Sequence, residues 1–199
     1  MACEPGRTVV YLARHGRTAL NEAGVLRGLL DPPLDDTGRQ QARSLAAVLG
    51  PRGPAVIVTS PLRRAMQTAQ PAANAVSLTV MTDSHLIDRD YGPWTGKPKK
   101  AVVDRWGSVS DAPGVEPLPE IRRRAVAGLT GIARRWPGRT VMAVSHDAVN
   151  REVLLAFGAG FPDHDAVPQD NGCFNTLEYT TAGWAVTAVN LRPGADEPA

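Results

Sequence analysis

Two short apolar runs in this chain end in histidine. Val9-Val10-Tyr11-Leu12-Ala13 breaks into Arg14-His15-Gly16, and Val141-Met142-Ala143-Val144 breaks into Ser145-His146. A buried strand that stops at such residues hands them to the crevice beyond its carboxyl end, where open α/β sheets bind ligands. Two strands delivering two histidines point to one shared pocket. Arg63, in the first turn of a helix predicted after a third strand, joins them. Two arginines and two histidines in one place repel each other unless a dianion sits among them. Phosphate fits: helix N-termini favour anions, and guanidinium groups bind phosphate oxygens in pairs. An imidazole that stays neutral is a competent nucleophile. It can take a phosphoryl group that water then removes, while the surrounding cations stabilise the equatorial oxygens. The leaving alkoxide needs a proton from a carboxylic acid near the pocket mouth. Asp88 and Asp90, in Leu86-Ile87-Asp88-Arg89-Asp90-Tyr91-Gly92, are the candidates.

The elements that must hold these groups can be read in order. A strand is expected over 8–13, then loop to 33 with a short helix after His15, because Gly16, Gly24, Gly28, Pro32 and Pro33 punctuate the segment. Leu34-Asp35-Asp36-Thr37-Gly38 opens a helix with apolar positions at Ala42, Leu45, Ala46 and Leu49, stopped by Gly50-Pro51. A strand over 55–59 leads to Ser60-Pro61, read as N-cap and first helical residue. A helix over 62–73 and a strand over 77–82 follow. From 85 to 119 the periodicity fades into a Gly- and Pro-rich lid with one short helix near 100–106. A helix over 120–136, a strand over 140–144, a helix over 148–157 and a hairpin over 173–179 and 184–190 complete the chain. This alternation predicts an α/β protein: a three-layer α/β/α sandwich with a mostly parallel central sheet. Residues 1–192 form one domain in this reading, and 193–199 a disordered tail.

Composition narrows the function classes. Apolar residues make up 43% and charged residues 21%, as in an ordinary globular domain. A net charge of +2, with no aromatic-basic platform, argues against a nucleic-acid partner. Cys3 and Cys173 do not make a disulfide framework. No apolar run approaches the roughly 20 residues of a membrane span, and no signal-peptide core precedes the first strand. A cytoplasmic protein with no membrane partner is the expectation. No cluster has metal-ligand spacing, and the chemistry above needs neither metal nor cofactor.

The chain resembles the histidine phosphatase superfamily, the phosphoglycerate-mutase-like clan, from Val9 to about Asn190. The family's Arg-His-Gly-x-Thr-x-x-Asn reads here as Arg14-His15-Gly16-Arg17-Thr18-Ala19-Leu20-Asn21. Its next block appears as Gly28, Asp31, Pro33, Leu34 and Gly38. Its Ser-x-Leu-x-Arg-Ala-x-x-Thr-Ala appears as Ser60-Pro61-Leu62-Arg63-Arg64-Ala65-Met66-Gln67-Thr68-Ala69, and its late Ser-His as Ser145-His146. The resemblance implies a phosphohistidine on His15. It implies a phosphate clamp of Arg14, Arg63 and His146, with Asn21 as a further contact. The family's acid is a glutamate in Leu-x-Glu-x-x-x-Gly; that position holds Asp88, one methylene shorter. Asp147 replaces the usual glycine after Ser-His and is expected to point away or pair with an arginine.

Arg64 is read as turned from the pocket, since adjacent helical residues diverge by about 100°. Arg122, Arg123 and Arg124 are read as a solvated helix face. Arg27 and Lys97 are candidates for substrate recognition, with Lys99 and Lys100 nearby; His85 and His164 receive no role. A small lid implies a wet site and favours hydrolysis of a small phosphorylated substrate over a mutase reaction. A phosphate- or phosphopeptide-binding domain with little catalysis is the reading from another class.

Overall fold

The two histidine-bearing runs form β1 (Thr8–Arg14) and β4 (Thr140–Ser145), which pair in parallel with Arg14 opposite Ser145. The computed structural model describes residues 6–194, so Cys3 and residues 195–199 of the expected tail lie outside the described residues. The other elements are α1 (Ala19–Glu22), α2 (Asp36–Leu49), β2 (Val56–Thr59), α3 (Arg63–Ala75), β3 (Val80–Thr82) and α4 (Lys99–Trp106). They continue with α5 (Leu118–Arg135), α6 (Asp147–Ala156), β5 (Phe174–Thr180) and β6 (Gly183–Leu191). The sheet order is β3-β2-β4-β1-β5-β6. The first four strands run parallel, and β5 and β6 close one side antiparallel, so the sheet is mixed but mostly parallel.

Alternating side chains of the central strands feed two cores. Val10, Leu12, Val141 and Ala143 pack under α5 and α6 through Ile121, Leu129, Val149 and Val153. Ala13, Ile57, Met142 and Val144 pack under α2 and α3 through Leu45, Leu49, Ala65 and Ala69. This is the expected three-layer arrangement. Among the described residues no helix is long and apolar enough to cross a membrane.

The helix starts correct one expectation. Ser60 does not cap α3; Leu62 occupies the N-cap and has no side-chain cap bond. The free amide of Arg63 donates instead to Asp31 Oδ1 at 2.6 Å, which places a carboxylate at the positive end of the helix. The hydroxyl of Ser60 accepts from the Leu62 amide and also meets His146. The 84–117 excursion has its own small core of Leu26, Tyr91, Val102, Ala112 and Val115, flanked by Trp94 and Trp106. It is stitched to the loop after α1 by Leu26 N–H to Lys97 O and Lys99 N–H to Gly24 O. The lid is thus an ordered layer over the strand ends.

Two glycines let the loop after β1 lie against the first turn of α2. A Cβ on Gly16 would stand 2.5 Å from Gly38 O, and a Cβ on Gly38 would stand 2.0 Å from Arg17 O. Backbone cannot yield as a flexible side chain can. Gly38→Ala is therefore expected to cost about 1–3 kcal/mol of stability, read as a lowered urea midpoint, and to weaken phosphate binding because the loop it displaces carries His15.

Candidate active site

The β1/β4 register carries His15 and His146 out of the sheet side by side. His15 N–H donates to Ser145 O at 3.0 Å, and the two imidazole rings lie 5.1 Å apart at 55°. Both residues are fully buried. His15 Nδ1 lies 2.7 Å from Gly16 O. A carbonyl only accepts, so Nδ1 carries the hydrogen, and in the neutral ring Nε2 holds a free lone pair. The loop is held from behind. Gly16 N–H donates to Thr68 Oγ1 at 2.9 Å, and His15 O accepts from Asn171 Nδ2 at 3.1 Å. His146 Nε2 meets Ser60 Oγ at 2.8 Å, while Ser60 Oγ also accepts from Leu62 N–H.

Arg64 reaches the same place from α3. Its Nη2 donates to Asp88 Oδ2 at 2.7 Å and to Gly28 O at 2.8 Å, and its Nη1 donates to Leu30 O. Asp88, 2% exposed, also accepts the Arg89 amide on Oδ1 and lies 3.7 Å from His146 Nδ1. Arg14 is anchored by its Nη1 on Gln169 O. Asp147 accepts from Arg151 Nε at 2.5 Å and lies 3.8 Å from Arg14, so it pairs with arginine as expected.

Five buried nitrogens around this point have no hydrogen-bond partner among the described residues: His15 Nε2, His146 Nδ1, and the Nε atoms of Arg14, Arg27 and Arg64. Each unpaired buried polar group costs about 1–3 kcal/mol, so their concentration calls for an acceptor-rich ligand. Burial pushes both histidines well below their ordinary range. The next cause for His15 is the neighbouring His146, with Arg64, Arg14 and Arg27 behind it; for His146 it is Arg64, then Arg27 and Arg14. At neutral pH His15 is held neutral, with its Nε2 lone pair among cations. For Asp147 burial pushes upward, but Arg14 and Arg151 outweigh it and hold the carboxyl below its usual range.

A pocket of about 520 Å³ adjoins this cluster through Arg14, Arg27 and Asp147. Arg14, Asn21 and Arg27 line it, and Asn21 spends its Oδ1 on the Thr18 amide and hydroxyl, leaving its Nδ2 without a protein partner.

The structure brings together His15, Arg14, His146, Asn21, Asp88 and Arg27. It does not bring Arg63 or Lys97. Arg63, the first residue of α3, is exposed, and Arg64 takes its place in the site. The expectation that one of the two faces in was sound, but the wrong one was chosen. The fifth position of Ser-x-Leu-x-Arg-Ala falls on Arg64, and that register was the available signal. Lys97 is exposed away from the pocket, and Lys99 lines it. Asp90 is exposed, and its carboxylate caps the Gly92 amide.

Of the three successive arginines Arg122 and Arg123 are exposed as expected, Arg123 pairing with Glu120. Arg124 donates to the carbonyls of His85, Ile87 and Asp88 and pairs with Glu116, which fixes the segment carrying Asp88. Arg122 pairs with the buried Glu152. Nothing in the sequence distinguishes these three positions.

The model of the histidine phosphatase superfamily, branch 1, matches residues 10–192. The chain is 30% identical over 184 residues to a Bacillus subtilis protein described as the uncharacterized phosphatase PhoE, covering 92% of this chain and 95% of that one. It is 32% identical over 193 residues to phosphoserine phosphatase 1 of Hydrogenobacter thermophilus, covering 92% of each. A solved structure of a mycobacterial glucosyl-3-phosphoglycerate phosphatase complexed with VO3 superposes with a TM-score of 0.81 at 27% identity, over 93% of this chain and 98% of that one.

Two outcomes are expected. Arg64→Ala lowers turnover of an aryl phosphate about 100- to 1000-fold and destabilises the fold by about 3–5 kcal/mol, because Asp88 is left buried and unpaired; Arg63→Ala changes both within the small range of surface substitutions. Should Arg64→Ala not fold, Arg64→Lys keeps the charge, loses the fork and shows the same direction. The second outcome concerns acid. The unfolded chain protonates its histidines near pH 6.5, and the folded chain resists at His15 and His146. The unfolded state thus binds more protons below that value, so stability falls with falling pH by up to about 1.4 kcal/mol per pH unit for each of the two. Urea unfolding between about pH 7.5 and 5.5 reads this, and His146→Ala reduces the slope.

Proposed function

The chain belongs to the histidine phosphatase superfamily, branch 1, and from that premise we propose that it is a metal-independent phosphomonoesterase acting on a small phosphorylated metabolite through a phosphohistidine on His15. The observation that carries this reading is the set of five unpartnered buried nitrogens. Oxygens of a phosphate dianion satisfy such donors, and the one nitrogen among them fixed as a lone-pair carrier belongs to His15.

In the first step His15 Nε2 forms a bond to phosphorus as the bond to the ester oxygen breaks. Arg14, Arg64 and His146 stabilise the equatorial oxygens throughout. The leaving oxygen takes a proton from Asp88. In the second step water attacks phosphorus, its proton returns to Asp88, and the N–P bond breaks to release phosphate and neutral His15. Asp88 is tied to Arg64 through Oδ2, so this role requires the bound phosphate to draw the guanidinium toward itself, and the released carboxylate to take up a proton before the ester bond breaks. The cations already present supply the charge stabilisation a metal would otherwise give.

The lid supports hydrolysis over phosphoryl return to substrate. It consists of α4 and two short 3₁₀ turns over a pocket of about 520 Å³, a small cover that leaves water a way to the site.

Hydrolysis of p-nitrophenyl phosphate in EDTA tests the proposal. Turnover is expected to survive EDTA and to disappear in His15→Ala, with a phosphorylated histidine trapped by an alkaline denaturing quench in the wild type. Asp88→Asn is expected to slow an alkyl phosphate far more than this aryl ester, whose leaving group needs little protonation. Turnover that persists in His15→Ala sinks the mechanism.

A further inference from the structure

Arg14 is anchored by a neutral atom, and the residue that offers it sits at the centre of a buried layer of amides. Arg14 Nη1 donates to the main-chain carbonyl of Gln169. It meets the carboxylate of Asp147 only at 3.8 Å, and Arg151 holds that carboxylate more closely, at 2.5 Å. Arg64, by contrast, commits its charge to Asp88 at 2.7 Å. A carbonyl dipole orients a guanidinium without cancelling its charge, so Arg14 keeps that charge for an anion.

A loop carbonyl is a useful anchor only if the loop is fixed. Gln169 lies between α6 and β5, buried, and its own side chain fixes it. Its Oε1 accepts from Asn150 Nδ2 at 3.0 Å and from Asn175 Nδ2 at 3.2 Å. Its Nε2 donates to Asn175 Oδ1 at 2.8 Å and to Pro168 O at 2.7 Å. Both lone pairs and both hydrogens of the amide are used. Asn175 is equally complete: its Oδ1 also accepts the Asn190 amide at 2.9 Å, and its Nδ2 also donates to Leu12 O at 2.8 Å. Asn175 stands opposite Leu12 of β1, at the irregularity in the β5/β6 ladder. Asn190, with a left-handed φ of 56°, accepts the Asp170 amide on Oδ1 at 2.7 Å and donates to Asp170 Oδ2 at 3.1 Å. Asn150 lies one turn after His146 on α6. The residue that holds Arg14 is thus tied to β1, β5, β6 and α6.

Asn150 and Asn175 have no exposed surface, and Asn150 Oδ1 is buried without a hydrogen-bond partner among the described residues. An apolar residue at 150 would hold α6 against the sheet with no unmet acceptor. Stability alone therefore does not account for this amide; what it supplies is its bond to Gln169.

We propose that Gln169, locked by Asn150 and Asn175, is the positioning residue for Arg14: the paired amides fix the carbonyl that aims the guanidinium at phosphate. They act through Arg14 and need no contact with the substrate. A guanidinium displaced by about 1 Å loses its paired approach to phosphate oxygens, an error worth up to about 100-fold. The inference rests on the phosphatase reading in taking Arg14 as a phosphate ligand.

Affinity for inorganic phosphate, read by calorimetry beside the urea midpoint, tests it. Gln169→Met keeps the length of the side chain and removes its four hydrogen bonds to nitrogen and oxygen partners. It is expected to bind phosphate about 10- to 100-fold more weakly. Asn150→Leu removes one of those bonds together with the unpartnered oxygen. It is expected to weaken phosphate about three- to tenfold while the urea midpoint stays level or rises, a combination that a merely structural role does not produce. This variant carries the test if Gln169→Met does not fold. Val153→Ala, in the apolar core on the same helix, is expected to lower the midpoint and leave phosphate affinity unchanged. In an Arg14→Lys background, where the fork that the carbonyl aims is gone, Asn150→Leu is expected to change phosphate affinity by less than about twofold. Wild-type phosphate affinity in the folded amide variants overturns the inference. So does an equal loss in Val153→Ala, or an undiminished effect of Asn150→Leu in the Arg14→Lys background. Phenyl phosphate separates the two readings: a wild type that does not hydrolyse it, with the phosphate affinities falling as expected, overturns the phosphatase reading and supports the positioning of Arg14.

Discussion

A slip of one residue between β1 and β4 would turn every side chain of one strand to the opposite face. It would also part the two histidines that the strands deliver. With Arg14 paired to Ser145, the next residue on each strand leaves the sheet at the same height, and the imidazoles meet across 5.1 Å. What fixes the register is the core. Val10 and Leu12 must face α5 and α6 together with Val141 and Ala143, and Ala13 must face α2 and α3 with Met142 and Val144. The two hydrophobic layers therefore set the geometry of the site, and the site adds little to its own alignment.

Around the histidines the protein gathers more positive charge than it neutralises. Asp88 answers Arg64, Asp147 answers Arg151 and stands near Arg14, and five nitrogens stay unpaired. An arrangement of this kind costs stability and is the usual mark of a site shaped for its ligand. The same burial that makes it costly keeps His15 neutral, which a nitrogen nucleophile requires. Stability and reactivity are thus linked through one cause, the removal of these groups from water.

The segment over the strand ends holds itself in place. Its small core of Tyr91, Val102 and Val115, and the grip of Arg124 on the carbonyls around Asp88, make it a fixed wall. Helix α6 forms another side. It begins at His146, presents Asp147 and Arg151 to the pocket, and buries Glu152 behind His164. One helix thereby connects the phosphate cluster to a second wall of the pocket.

The sequence by itself determined the layers, the succession of strands and helices, and the meeting of Arg14, His15 and His146, because apolar periodicity and residues at strand ends are local signals. It also marked Asn21 and Asp88 through motif spacing. Tertiary structure decided what local signals leave open. Arg63 and Arg64 are adjacent and chemically alike, and only the packing of α3 against the sheet shows that the second turns inward. Ser60 looks like a helix cap, but Asp31, far away in sequence, takes the Arg63 amide, and the Ser60 hydroxyl is shared between the Leu62 amide and His146. Arg124 reads as solvated charge until its partners, Glu116 and the carbonyls near Asp88, are brought to it. In each case the deciding contact joins residues distant in the chain, and a side chain's partner across such a distance is fixed by how the layers pack.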